Sequence, residues 1–255
     1  MSRLLPLLLL LLAGPLFAKT PVTFQPATFG DKKQEIISKI KFPEIYPGTP
    51  VNVLCEALIS SRGRVNIGFC YIARPRANTE PYIFKVVQGF HRVYISPARI
   101  NGGLHSAYMQ FRVRFEKEDG RERIELFPNL GVNRYVYGDD YVAAQFYWLR
   151  EGTGNCSNYV NLLMDMQVMK DGSLKDVRLL NKDLSKQCEN YYVRLFNQRK
   201  YIPAFYQGKP VESHHMDFMM IDMHKKGINL FGLPFTINLG DSPPKNLQTG
   251  GGNAK

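Results

Sequence analysis

Between positions 51 and 223 the spacing of apolar residues changes period in the same order twice. Residues 51–60 and 64–73 read as two short apolar strands on either side of Arg62-Gly63. After Thr79-Glu80-Pro81, a helix-start pattern of cap and early proline, Ile83, Val86, Val87 and Phe90 recur at the helical period. Residues 108–115 then alternate, with Gln110, Arg112 and Arg114 on one face. The second passage repeats the scheme. Residues 159–169 and 174–180 flank Asp171-Gly172, a helix is predicted over 185–199, and Leu184, just before it, faces the core with Cys188, Tyr191, Leu195 and Phe196. A last strand covers 211–223. The predicted fold class is α+β: two units, each a β-hairpin, a helix and a strand, giving a three-stranded antiparallel sheet with one packed helix.

The sequence also repeats residue by residue. Val51-Asn52-Val53-Leu54 returns as Val160-Asn161-Leu162-Leu163, and Gly63 falls on Gly172, an offset of 109. Pro97-Ala98 and Gly102 fall on Pro203-Ala204 and Gly208, an offset of 106, so one small indel reconciles the two. The units are placed at 51–117 and 156–230. A lead-in at 19–50 contains a short helix predicted from Lys32 to Ile40, with Asp31 as N-cap and Ile36, Ile37 and Ile40 as its apolar stripe. A connector covers 118–155. In it, Asp119-Gly120 marks a turn that 124–127 continues as a hairpin, and Asp139 or Asp140 caps a helix expected from 141 to 149. The aromatic-rich run Tyr135, Tyr137, Tyr141, Phe146, Tyr147 and Trp148 is expected to pack the two units together, with a sugar-binding platform as the alternative. Residues 231–255 read as a disordered tail.

Export changes the picture next. Arg3, an apolar run from Leu4 to Phe17 and Ala18 form a secretory signal over residues 1–18. That run is too short to span a bilayer comfortably, since about 20 apolar residues are needed. The expected location is the periplasm. Cys55, Cys70, Cys156 and Cys188 are then disulfide candidates with three formal connectivities. The repeat favours Cys55–Cys70 and Cys156–Cys188. The first pair is symmetric about Arg62-Gly63, so a hairpin turn there sets the thiols opposite each other. Each closure is expected to stabilise by about 3 to 4 kcal/mol. The formal charge of +11 is dispersed along the chain and suits an anionic envelope surface rather than nucleic acid in that compartment.

Catalytic signals are missing. There is no nucleophile elbow, phosphate loop or zinc-protease helix, and no C-x-x-C spacing. His214 and His215 are adjacent on a strand and point to opposite faces, so with His224 they do not make a chelate. No cofactor, no metal and no enzymatic activity are expected.

The second unit resembles the C-terminal domain of TonB. The residues that carry the likeness are Met169-Lys170-Asp171-Gly172-Ser173, Val177-Arg178-Leu179-Leu180, Lys200-Tyr201-Ile202-Pro203-Ala204-Phe205 and Gln207-Gly208-Lys209-Pro210-Val211. The first unit matches more weakly, through Ser61-Arg62-Gly63-Arg64, Pro97-Ala98 and Asn101-Gly102. Gly63, Pro97, Gly172, Pro203 and Gly208 are motif residues with structural roles. The resemblance implies a protein that binds a partner, such as an outer-membrane receptor segment, by adding a strand to a sheet edge. By position that edge is the last strand, with Val211, Ser213, His215, Asp217 and Met219 along it. The chain departs from an energy transducer in having a short N-terminal apolar run without polar residues and no long proline-rich spacer. A periplasmic protein-binding or scaffold role is therefore the first expectation. A TonB-type transducer for outer-membrane transport that keeps its N-terminal anchor is the alternative.

Overall fold

The computed structural model describes residues 21–73, 75, 78–148, 159–180 and 184–222. The expected signal, Cys156, His224 and the expected tail lie outside the described residues. The main elements are α1 (Lys33–Lys39), β1 (Val51–Ile59), β2 (Val65–Ile72), α2 (Glu80–Gly89), β3 (Ala107–Glu118), β4 (Arg121–Phe127), α3 (Arg134–Tyr137), β5 (Gln145–Trp148), β6 (Tyr159–Val168), β7 (Leu174–Leu179), α4 (Lys186–Asn197), β8 (Lys200–Ile202) and β9 (Ser213–Asp222). The fold is mixed α+β with antiparallel sheets. Among the described residues no helix is long and apolar enough to cross a membrane.

The first sheet runs β8-β5-β3-β1-β2, with β4 also paired to β3, and the other main sheet runs β7-β6-β9. In both, the first hairpin strand is central and the strand that follows the helix takes its free edge. The inner face of the first sheet is apolar. Val53, Cys55, Ala57, Met109, Phe111 and Val113 are at most 1 % exposed and pack on Ile36 of α1 and on Tyr82 and Val86 of α2. The other main sheet turns Leu162, Met164, Met166 and Val168 toward Tyr192 and Phe196 of α4. Ser185 caps α4, its hydroxyl accepting from the Cys188 amide.

The internal repeat is visible as matched contacts. Ser60 N donates to Arg64 O and Gly63 N to Ser60 O; at an offset of 109, Met169 N donates to Ser173 O and Gly172 N to Met169 O. Gly63 and Gly172 sit at φ +81° and +77°. A Cβ on Gly63 would lie 2.1 Å from Ile95 O, and one on Gly172 would lie 2.1 Å from Tyr201 O. Ile95 and Tyr201 each precede the motif prolines, Pro97 and Pro203, by two residues. After each proline comes a tight hairpin: Ala98–Ile100 with Gly103–His105 around Asn101-Gly102, and Ala204–Tyr206 with Lys209–Val211 around Gln207-Gly208. All four turn residues have positive φ. Gly172→Ala meets both a left-handed backbone and a carbonyl oxygen. It is expected to cost about 2–3 kcal/mol, read as a fall in the urea midpoint, with Gly63→Ala similar.

Cys55 and Cys70 are register partners and are disulfide-bonded, with Cα atoms 4.1 Å apart. The register arises differently from the expectation. The turn pairs Ile59 with Val65, one step short of the Cys55–Cys70 alignment, and an extra residue at Gly68 restores it, because Glu56 faces Phe69 while Ala57 faces Ile67. Cys188 is also disulfide-bonded; Cys156, its expected partner, lies outside the described residues.

Several expectations are corrected. The helix expected at 141–149 is replaced by strand β5. Its residue Phe146 stacks on Tyr108 with centroids 4.1 Å apart, and its backbone pairs with β8 and with Tyr108. Asp139 pairs with Arg112 and Asp140 with Lys33 instead of capping a helix. Asp31 lies within a 3-10 turn, and α1 begins after Lys32. On α2, Val87 is 43 % exposed and Tyr82, at 0 %, takes the core position. The last strand is interrupted after Val211, which belongs to the hairpin with Ala204.

Candidate functional site at the last strand

Among the described residues β9 is the outermost strand of its sheet, paired to β6 from Ser213↔Val168 to Asp222↔Tyr159 without a bulge. Along a strand, successive residues turn their side chains to alternate faces and their N–H and C=O groups to alternate edges. Ser213, His215 and Asp217 are 4 %, 4 % and 1 % exposed, so three of the positions expected to contact a partner point into the core. Val211 is half-buried in the preceding hairpin, and the side chain of Met219 lies outside the described residues.

The outward edge belongs to the even-numbered residues, and over 212–216 the chain closes it with its own groups. Asn133 forms a two-point contact with His214: its Nδ2 donates to His214 O at 2.7 Å, and its Oδ1 accepts from His214 N at 3.1 Å. This reproduces the bond pair that a neighbouring strand would make. Tyr137 Oη donates to Glu212 O at 2.6 Å, and Gln110 Nε2 donates to Met216 O at 2.8 Å. Beyond Met216 no described residue bonds the outward edge. Among the described residues, then, the side-chain closure of this edge reaches from Glu212 to Met216 and not along the whole strand. The residues that close the proximal half stand 81, 75 and 106 positions away in sequence. The polar alternation marked Gln110 and the aromatic-rich run marked Tyr137, whereas nothing in the pattern marked Asn133.

Beneath β9 lies an ionic cluster. Asp217 is ion-paired with Arg199, both side chains at most 1 % exposed, and accepts from Tyr201 Oη at 2.9 Å. The Arg199 guanidinium lies over the rings of Phe196 and Phe146, 3.8 and 4.7 Å from their centroids. Glu56, 3 % exposed on the second face of the first sheet, meets this cluster across the contact between sheets. Gln110 Nε2 reaches its Oε2 at 3.4 Å, and its Oε1 has no partner among the described residues. Burial and, second, the Asp217 charge push the Glu56 carboxyl up to about 8, so it holds a proton at neutral pH. Burial depresses His215 to about 4 against the pull of Asp217, keeping its imidazole neutral. On the opposite face His214 and Arg178 both contact Asp165. Burial lowers the His214 pKa, with Asp165 opposing.

His214 and His215 thus lie on opposite faces, as the alternation requires. Of the motif residues, Gly63 and Gly172 hold turns against backbone, Pro203 is buried and Pro97 half-buried ahead of their hairpins, and Gly208 completes a turn. No family model, no curated protein and no solved structure matches the chain.

Proposed function

We propose that this protein is a non-enzymatic binding or scaffold protein of a Gram-negative periplasm, built from two TonB C-terminal-like units. It takes an extended segment of an envelope partner along the distal half of β9. The observation that carries this reading is the edge itself. β9 is long, regular and, among the described residues, outermost, and beyond Met216 its outward hydrogen-bonding groups meet no described residue. An unpaired strand edge is a ready template for another chain. The shared strand order of the two hairpin–helix–strand arrangements, the Gly63 and Gly172 turns and the post-proline hairpins support the two-unit reading. The Cys55–Cys70 disulfide fits an oxidising compartment.

Proline scanning tests the edge. Position 220 points its N–H outward and position 219 points inward to β6. Met220→Pro is expected to abolish recovery of the envelope partner while leaving the urea midpoint almost unchanged. Met219→Pro removes a ladder bond and is expected to lower the midpoint. Undiminished partner recovery with Met220→Pro would rule out strand addition here.

A further inference from the structure

The turn between β1 and β2 and the segment after α2 form a short two-stranded ribbon. Arg64 and Tyr94 are bridge partners, Val65 N donates to Val93 O at 3.0 Å, and Ile95 N donates to Gly63 O at 2.9 Å. The pairing is confined to this one bridge, and Arg62 and Arg92 lie in the turns that flank it, with Gly63 at φ +81° and Arg92 at φ +56°. Gly63, Val65, Val93 and Ile95 are buried, whereas Arg62, Arg64, Arg92 and Tyr94 are exposed, Tyr94 by 56 %. Directly opposed side chains sit roughly 5 Å apart and diagonal ones about 7–8 Å. Three exposed guanidiniums and one exposed phenol are therefore clustered at and within two residues of this bridge. None of the three arginines joins an ion pair with a described acid.

We infer that this ribbon is a docking face for an anionic phospholipid surface. Its shape argues against a small anion. The backbone N–H groups of Gly63, Arg64, Val65 and Ile95 are committed to Ser60 O, Ser60 Oγ, Val93 O and Gly63 O, so no nest of donors converges. What remains is a cluster of exposed guanidinium forks suited to several lipid phosphates, with an exposed tyrosine of the kind that settles at headgroup depth. The disulfide Cys55–Cys70 in the same hairpin fits an oxidising compartment, where lipid phosphate rather than nucleic acid is the abundant polyanion. The chain's excess of 33 basic over 22 acidic side chains adds long-range attraction. Strand addition at β9 is not required for this inference.

The test is co-sedimentation of the full chain with vesicles of phosphatidylcholine mixed in equal parts with phosphatidylglycerol. The triple variant Arg62→Gln, Arg64→Gln, Arg92→Gln is expected to lose about a hundredfold in partition, on the order of one basic side chain's membrane attraction for each residue removed. The charge-matched control Lys170→Gln, Lys175→Gln, Lys209→Gln alters exposed lysines on the other unit and is expected to lose only a few-fold. Free inorganic phosphate at matched ionic strength is expected to leave binding unchanged. Equal losses in the two triple variants, displacement by free phosphate, or wild-type binding no stronger than to pure phosphatidylcholine would each overturn the proposal.

Discussion

Arg199→Met is expected to destabilise the protein by about 3–5 kcal/mol, because it leaves the buried Asp217 carboxylate without its cation. The methionine can still fill the space between Phe146 and Phe196, so lost packing contributes little. Most of the loss comes from the uncompensated charge, which sits beside a second carboxyl, Glu56. The double variant Arg199→Met, Asp217→Leu removes both charges and is expected to recover most of the loss. Urea denaturation of the single and double variants separates the two contributions. A single variant as stable as wild type would mean that the pair is solvated in the folded protein.

Glu56→Gln is expected to change how stability depends on pH. The folded-state pKa of Glu56 is raised from 4.5 to about 8, so its contribution to stability is fully present below 4.5 and is lost as pH rises through 8. His215 acts in the opposite sense. Its folded-state pKa is lowered from 6.5 to about 4, so its contribution is present above 6.5 and is lost as pH falls through 4. Between 4.5 and 6.5 the two slopes oppose and stability stays nearly level. Between 6.5 and 8 Glu56 acts without His215, and at roughly 1.4 kcal/mol per pH unit the wild type is expected to lose about 2 kcal/mol. Glu56→Gln keeps a carboxamide of the same shape beside Gln110 and has nothing to ionise. Its stability is expected to stay level across that window and to exceed that of wild type at pH 8. Urea midpoints at closely spaced pH values check this. A wild-type decline that survives the substitution would place the titrating group elsewhere.

Much of the architecture was legible because it depends on local pattern. The hairpins, α2 and α4 follow from short apolar runs, glycine turns and a serine cap. The offsets of 109 and 106 foretold contacts that the structure repeats, Gly63 on Ile95 and Gly172 on Tyr201. Where long-range pairing decides, the pattern failed. Residues 141–149 carry a helix-like start at Asp139-Asp140, but stacking of Phe146 on Tyr108 and pairing with β8 draw the segment into a strand. The cysteine register was anticipated from symmetry about Arg62-Gly63, although a bulge at Gly68 is needed to produce it. At the candidate site the strand itself was anticipated, but its closure was not. An asparagine 81 positions away that imitates a peptide group leaves no mark in periodicity. The ionic cluster was missed for the same reason, since Glu56, Arg199 and Asp217 come from three separate parts of the chain.

The most direct measurement is in-cell photo-crosslinking from positions 214 and 220 of the full chain, with the adducts mapped by mass spectrometry. Strand addition on the distal half predicts adducts from position 220 to an extended segment of another envelope protein. From position 214, which Asn133 covers, it predicts only internal adducts. Adducts to other proteins from 214 but not from 220, or internal adducts from both, would contradict it.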